Sequence, residues 1–126
     1  MTRLLLGDHN LSVERLRYPS RYRSAVPRDL RLCRFCRAEV EDEAHALLDC
    51  DAHARLRDLR EELMQVATKL DPGLYARRAG CTSLDFLIIL LRSRRALVHN
   101  VARFIYQVLN VYDGEPRFVP LVFRVP

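Results

Sequence analysis

The stretch "RLCRFCRAEVEDEAHALLDC", residues 31–50, carries three of the chain's four cysteines and one of its four histidines. Its ligand-type residues are Cys33, Cys36, His45 and Cys50, separated by two, eight and four residues. Three readings compete: a metal site, a redox pair, or a chance cluster. A close cysteine pair forms a turn that aims both sulfurs at one point, and a second pair four residues apart closes a tetrahedron. Structural zinc takes four such thiolate and imidazole donors. A redox pair needs only Cys33 and Cys36 and leaves His45 and Cys50 unexplained. The spacing therefore predicts Zn²⁺ held by Cys33, Cys36, His45 and Cys50. With all four positions filled by protein, none remains for a water, which points to a structural metal and away from hydrolysis.

Helix geometry sets a condition on this reading. Five residues of an ideal helix turn through roughly 500°, which places His45 and Cys50 about 140° apart. The turn between them must tighten or widen, or Cys50 must lie past the helix end. Three thiolates and one Zn²⁺ leave a local charge of about −1, which nearby cations would stabilise. Arg34 and Arg37 stand within and beside the cysteine pair.

Working outward, 126 residues suit one small domain with a modest core, in which a staple would help. Apolar content of 49% and charged content of 29% fit a globular chain. The start, "MTRLLLGDHN", lacks the long apolar core of a secretory signal. The longest apolar run, "FLIILL" (Phe86–Leu91), is far short of the roughly 20 residues that span a bilayer. These features lead us to expect an intracellular protein, of cytoplasm or nucleus, with no membrane partner. Cysteines there stay reduced, which favours metal over disulfide.

The net charge is +5, and Lys69 is the only lysine. A compositional bias toward arginine accounts for the number of arginines but not for their placement. Arg15, Arg17, Arg21, Arg23, Arg28, Arg31, Arg34 and Arg37 share a segment with a single acid, Asp29. Tyr18, Tyr22 and Phe35 are interleaved among them. From Glu41 to Glu62 the sign reverses, with eight acidic residues against three arginines. Arginine forks suit phosphate, and aromatic rings stack on unpaired bases. This segment is therefore a candidate surface for single-stranded RNA or DNA. The alternative is a solvated arm that binds nothing.

The coarse order of elements is mainly α. "YPSRYRSAVPRD" has two prolines and reads as a loop. Residues 41–70 have helical composition, with Leu56, Leu59, Leu63, Val66 and Leu70 as one apolar stripe and "DPG" (71–73) as its end. Thr82 or Ser83 is a candidate cap for a buried helix through "FLIILL". A further helix is expected over 95–112, ended by "DGEP". The expected organisation is a basic, extended N-terminal arm (1–30), a zinc knuckle with its following helix (31–70), and C-terminal helices with an apolar tail (71–126). The fold class is thus a small zinc-stabilised knuckle with about three helices.

Residues 7–64 resemble the zinc-knuckle region near the C-terminus of non-LTR (LINE-type) retrotransposon reverse transcriptases. The likeness lies in "GDHNLSVERLRY", the basic approach "PRDLRLCRFC", then "EVEDEAHALLDC" and the arginine-bearing "AHARLRDLR". Leu16 stands where that pattern has a glycine, and Ala46 where an aromatic follows the histidine. "RALVHNVARFIYQVLNVY" is similar to the family's terminal helix. The resemblance implies that Cys33, Cys36, His45 and Cys50 ligate zinc, and that the region helps to hold template RNA or target DNA. It implies a fragment whose partner is the remainder of a reverse transcriptase.

No polymerase activity is expected, because the paired aspartates that hold two Mg²⁺ ions in a "YADD"-like strand hairpin are missing. No other catalytic constellation stands out, so the chain reads as a non-enzyme. His9 and His53 read as surface or capping residues, His99 as helix surface or core, and Cys81 as an inert thiol. Two functions remain open: a zinc-stabilised nucleic-acid-binding module, or a zinc-stabilised protein-interaction or purely structural module.

Overall fold

The computed structural model describes residues 9–21, 23–93 and 95–124. It is mainly helical. After a single turn, α1 (Ser12–Arg15), come a 3-10 turn (Arg28–Leu30) and a π-helical turn (His45–Asp49). Four α-helices follow: α2 (Ala54–Leu70), α3 (Leu74–Ala79), α4 (Ser83–Leu91) and α5 (Arg95–Asp113). A last 3-10 turn, Leu121–Phe123, sits in the tail. The three helices expected from the apolar periods are α2, α4 and α5; α1 and α3 are additional short ones.

Local chemistry explains the boundaries. The His53 ring Nδ1 accepts from the Arg55 N–H at 3.1 Å and caps α2. Thr82 Oγ1 accepts from the Asp85 N–H at 3.2 Å and caps α4. Such caps satisfy N–H groups that the first turn leaves unpaired. Helix α2 stops at Asp71, ahead of Pro72 and Gly73.

Helices α2 and α5 form the main packed pair, and α4 closes on α5. The core from α5 is Leu97, Val101, Phe104, Ile105, Val108, Leu109 and Tyr112. From α2 it is Leu56, Leu59, Leu63 and Ala67. The expected α2 stripe needs correction at its end. Val66 and Leu70 are 38% and 41% exposed, and Ala67 is fully buried in their place. A small side chain lets the helices approach closely, and Val66 slides onto the rim of the groove beside Asn100, Arg103 and Gln107.

The N-terminal segment is irregular, as its prolines imply, but it does not stand free. Leu11, Val13, Leu16 and Val26 are buried, and the Val26 N–H donates to the Leu16 carbonyl at 3.0 Å. The Ser24 N–H donates to Phe123 O at 2.9 Å, which ties the arm to the tail. Burying four aliphatic side chains, at about 1.5–3 kcal/mol each, offsets part of the entropy lost in ordering the segment. The π-turn contacts α2, α4 and α5, so the cysteine segment docks onto the helical core. Among the described residues no helix is long and apolar enough to cross a membrane.

Candidate metal centre

Two short devices place the four ligand residues. The first is a hairpin-like knuckle. Leu32 and Val40 pair as an antiparallel bridge, and the Cys33 N–H donates to Glu39 O at 2.8 Å. The Arg37 N–H returns to Cys33 O at 2.9 Å, and Arg37 itself takes φ of 55°. A non-glycine residue in this left-handed region costs about 1–2 kcal/mol. The turn folds Cys36 back toward Cys33.

The second device resolves the helical-geometry problem. The Cys50 N–H donates to His45 O at 2.9 Å, an i to i+5 bond that widens the turn. Cys50 then leaves in an extended conformation. Both ends of this turn are satisfied by side chains. Asp42 Oδ1 accepts from the His45 N–H at 2.8 Å. Arg60, reaching from α2, donates to the carbonyls of Leu47 at 2.8 Å and Ala46 at 3.1 Å, and also to that of Cys50. One guanidinium thus takes three of the carbonyls that the wide turn leaves open.

The ligand atoms of Cys33, Cys36, His45 and Cys50 all lie within 4.8 Å of one another. Cys33 Sγ and Cys50 Sγ are 3.7 Å apart, and Cys36 Sγ lies 3.4 Å from His45 Nε2. A tetrahedron with standard zinc bond lengths has edges of about 3.8 Å between sulfurs and about 3.5 Å from sulfur to nitrogen. The Cys33–Cys50 and Cys36–His45 separations match those edges, and the group could hold a metal ion. All four cysteines are free thiols, and Cys81 lies outside the group. Cys33 and Cys50 are fully buried, His45 nearly so, and Cys36 half-buried.

Burial pushes the Cys50 thiol up to about 11, with the neighbouring Cys33 adding to the rise and the Ala52 N–H opposing it. Tyr112 closes the inner side, with its hydroxyl 3.6 Å from Cys33 Sγ and its own pKa raised, first by burial and then by Cys33. The Arg60 guanidinium is pushed down by burial. A metal ion here would have to displace thiol protons.

The arginines expected at the nucleic-acid surface divide sharply. Arg34 is a correction: its side chain is 1% exposed and paired with Glu41, whose side chain is 0% exposed. Its Nε donates to Glu41 Oε2 at 3.0 Å. Its two terminal nitrogens donate to Glu41 Oε1, to Asn10 O at 2.8 Å, to Tyr112 O at 2.7 Å and to Glu115 O at 2.9 Å. Every guanidinium N–H is used, so Arg34 has none left for a phosphate or for the thiolates. Phe35 is half-buried, with its ring tilted against His53 at 4.9 Å and edge-to-face with Tyr112 at 4.8 Å between centroids. Arg31 is half-buried and donates to Val26 O at 2.8 Å and Val13 O at 3.1 Å.

Arg15, Arg17, Arg21, Arg28 and Arg37 are exposed, and Tyr18 is 63% exposed. Arg28 lies 3.4 Å from Asp42, Arg17 stacks over Tyr18, and Arg37 lies over the Phe118 ring. Arg23 is half-buried, with hydrogen bonds to the carbonyls of Tyr18 and Arg15. Tyr22 lies outside the described residues.

Other polar residues gained roles that spacing did not signal. Glu41 accepts from the Ser12 N–H at 2.9 Å, the Ser12 hydroxyl at 3.1 Å and the Arg34 N–H at 2.7 Å. His9 is a correction to its surface reading: it is fully buried and bonds Glu43 at 2.8 Å. That bond is the largest influence lowering the Glu43 carboxyl below its ordinary value. His53 caps, as expected, and His99 is exposed on α5.

No family model matches this sequence, and no curated protein and no solved structure matches it either.

Proposed function

We propose that this chain is a zinc-stabilised nucleic-acid-binding module, similar to the C-terminal zinc-knuckle region of non-LTR retrotransposon reverse transcriptases and without polymerase activity of its own. The observation that carries the zinc reading is the convergence of three thiols and one imidazole within 4.8 Å of one another. Thiolate and imidazole donors select zinc over hard cations such as magnesium or calcium. With four protein donors the ion is structural, and its role is to fix the surface around it.

The nucleic-acid reading rests on the exposed cations Arg15, Arg17, Arg21, Arg28 and Arg37 with Tyr18 beside them. They suit a short single-stranded footprint of RNA or DNA, bounded by the acidic residues that follow Glu41. The second reading, a protein-interaction or purely structural module, is favoured by Leu121 and Val122, which are 78% and 82% exposed in the tail.

Metal analysis of the purified chain tests the first part: one zinc per chain is expected, lost in Cys50→Ser and kept in Cys81→Ser. Salt titration of single-strand binding tests the second. Each phosphate contact contributes about 0.7 to the slope on single strands, so alanine at Arg17, Arg28 and Arg37 together should flatten it by about 2. Zinc content without any binding at low salt would leave the protein-interaction reading in its place.

A further inference from the structure

A cavity of about 460 Å³ lies where the N-terminal segment meets the tail. Arg23, Arg34, Arg117, Asn10, Asp113 and Glu115 are among its lining residues. Arg34 is neutralised by Glu41. Arg23 and Arg117 make no ion pair with a carboxylate among the described residues. Asp113 and Glu115 are exposed, and neither pairs with these arginines.

The two guanidiniums are held by neutral acceptors alone. Arg117 donates from one terminal nitrogen to the Asn10 backbone and side-chain oxygens. Its Nε and other terminal nitrogen have no hydrogen-bond partner among the described residues. Arg23 donates to the carbonyls of Tyr18 at 2.6 Å, Ser24 at 3.5 Å and Arg15. That leaves its Nε and one terminal N–H. Arg117 is half-buried, and its pKa is lowered first by burial and then by repulsion from Arg34, Arg23 and Arg15. Positive charge is thus concentrated in a partly desolvated recess, eased by Glu41 nearby but with neither arginine ion-paired to a carboxylate among the described residues. Carbonyl anchors fix the direction of both forks before any ligand arrives, which reduces the ordering cost of binding.

We propose that this cavity binds a phosphate-type oxyanion, gripped by the unused N–H groups of Arg23 and Arg117. Planar guanidinium forks match a tetrahedral oxyanion with paired, charge-assisted hydrogen bonds. The oxyanion is a phosphodiester of a bound strand or a free phosphate. Only the phosphodiester source rests on the function proposed above. In either case the ligand would staple the N-terminal segment to the tail, alongside the bond from the Ser24 N–H to Phe123 O.

The test uses the metal-loaded chain and two probes, inorganic phosphate and a short oligothymidylate, at constant ionic strength. Phosphate should raise the melting temperature beyond chloride, as any ligand of the folded state does. Arg117→Gln and Arg23→Gln should each weaken phosphate binding about tenfold, the loss of a charge-assisted bond. Arg103→Gln removes the same charge from the exposed face of α5 and should change nothing. Zinc stoichiometry and circular dichroism report whether each variant folds. Arg117→Lys keeps the charge without the fork and should bind phosphate between wild type and Gln. If Arg117→Gln weakens both probes, the source is a phosphodiester. If it weakens phosphate alone, the site takes free oxyanion, and strand binding stands or falls by itself. Undiminished phosphate binding by folded Arg117→Gln, or no phosphate binding by wild type, overturns the site even where the oligonucleotide still binds.

Discussion

Two buried polar clusters lie side by side in this molecule, and they are built in opposite ways. The Cys33, Cys36, His45 and Cys50 group draws all its members from eighteen consecutive residues and could hold an ion from outside. The Arg34–Glu41 cluster needs nothing from outside. Its hydrogen bonds come from Asn10, Ser12, Tyr112 and Glu115, and every N–H of its guanidinium is used. They share a segment, since Arg34 lies between Cys33 and Cys36. The comparison shows two ways to staple a small core. One is a local cluster of donors that, with the zinc proposed above, would act as a chelate whose strength depends on metal supply. The other is a charge pair seven residues apart whose further hydrogen bonds reach Asn10 on one side and Tyr112 and Glu115 on the other.

The largest expected effect comes from taking the metal away. Structural zinc contributes roughly 10–16 kcal/mol of coupled binding and folding in finger peptides at neutral pH. Chelation should therefore cost more than any single substitution here. Because the π-turn rests on α2, α4 and α5, hydrogen exchange should rise first across residues 28–55, while α5 retains partial order through its apolar face. Exchange unchanged around the knuckle after chelation would remove the metal from the account of stability.

Next in size is the breaking of the charge pair. Glu41→Gln leaves a buried guanidinium without its counter-charge, and such breakage costs about 3–5 kcal/mol. Replacing both partners, as Arg34→Met with Glu41→Leu, should cost less than Glu41→Gln alone, because no buried charge is left unpaired. Urea melts of the zinc-loaded chains measure both. A double variant weaker than the single one would show that the carbonyl contacts of Arg34, and not its charge, hold the ends together.

The smallest effect sharpens the metal side. Arg60→Ala frees the carbonyls of Ala46, Leu47 and Cys50 at the wide turn. Loss of such an outer support typically weakens metal affinity 10- to 100-fold. Competition with a zinc chelator reads this directly, with the chain still folded at saturating zinc. Unaltered affinity would mean that the turn holds its width without Arg60.

The sequence pointed to the four residues that cluster and to the main helices. Both are signals of short range: a chelate spans a few residues, and an amphipathic helix repeats its pattern every turn. It also posed the angular conflict between His45 and Cys50, which a π-turn resolves. The tertiary structure alone decided which charges are buried. Arg34 and Arg37 look alike in the sequence, three residues apart. One is enclosed by Glu41 and by carbonyls from both ends of the chain, while the other is exposed over Phe118. His9 likewise finds Glu43 across 34 residues, and Arg117 meets Arg23 only because the tail folds back along the arm. The physical reason is that desolvation depends on everything that surrounds a group. A buried charge selects its partner by proximity in space, and sequence spacing carries no record of that proximity.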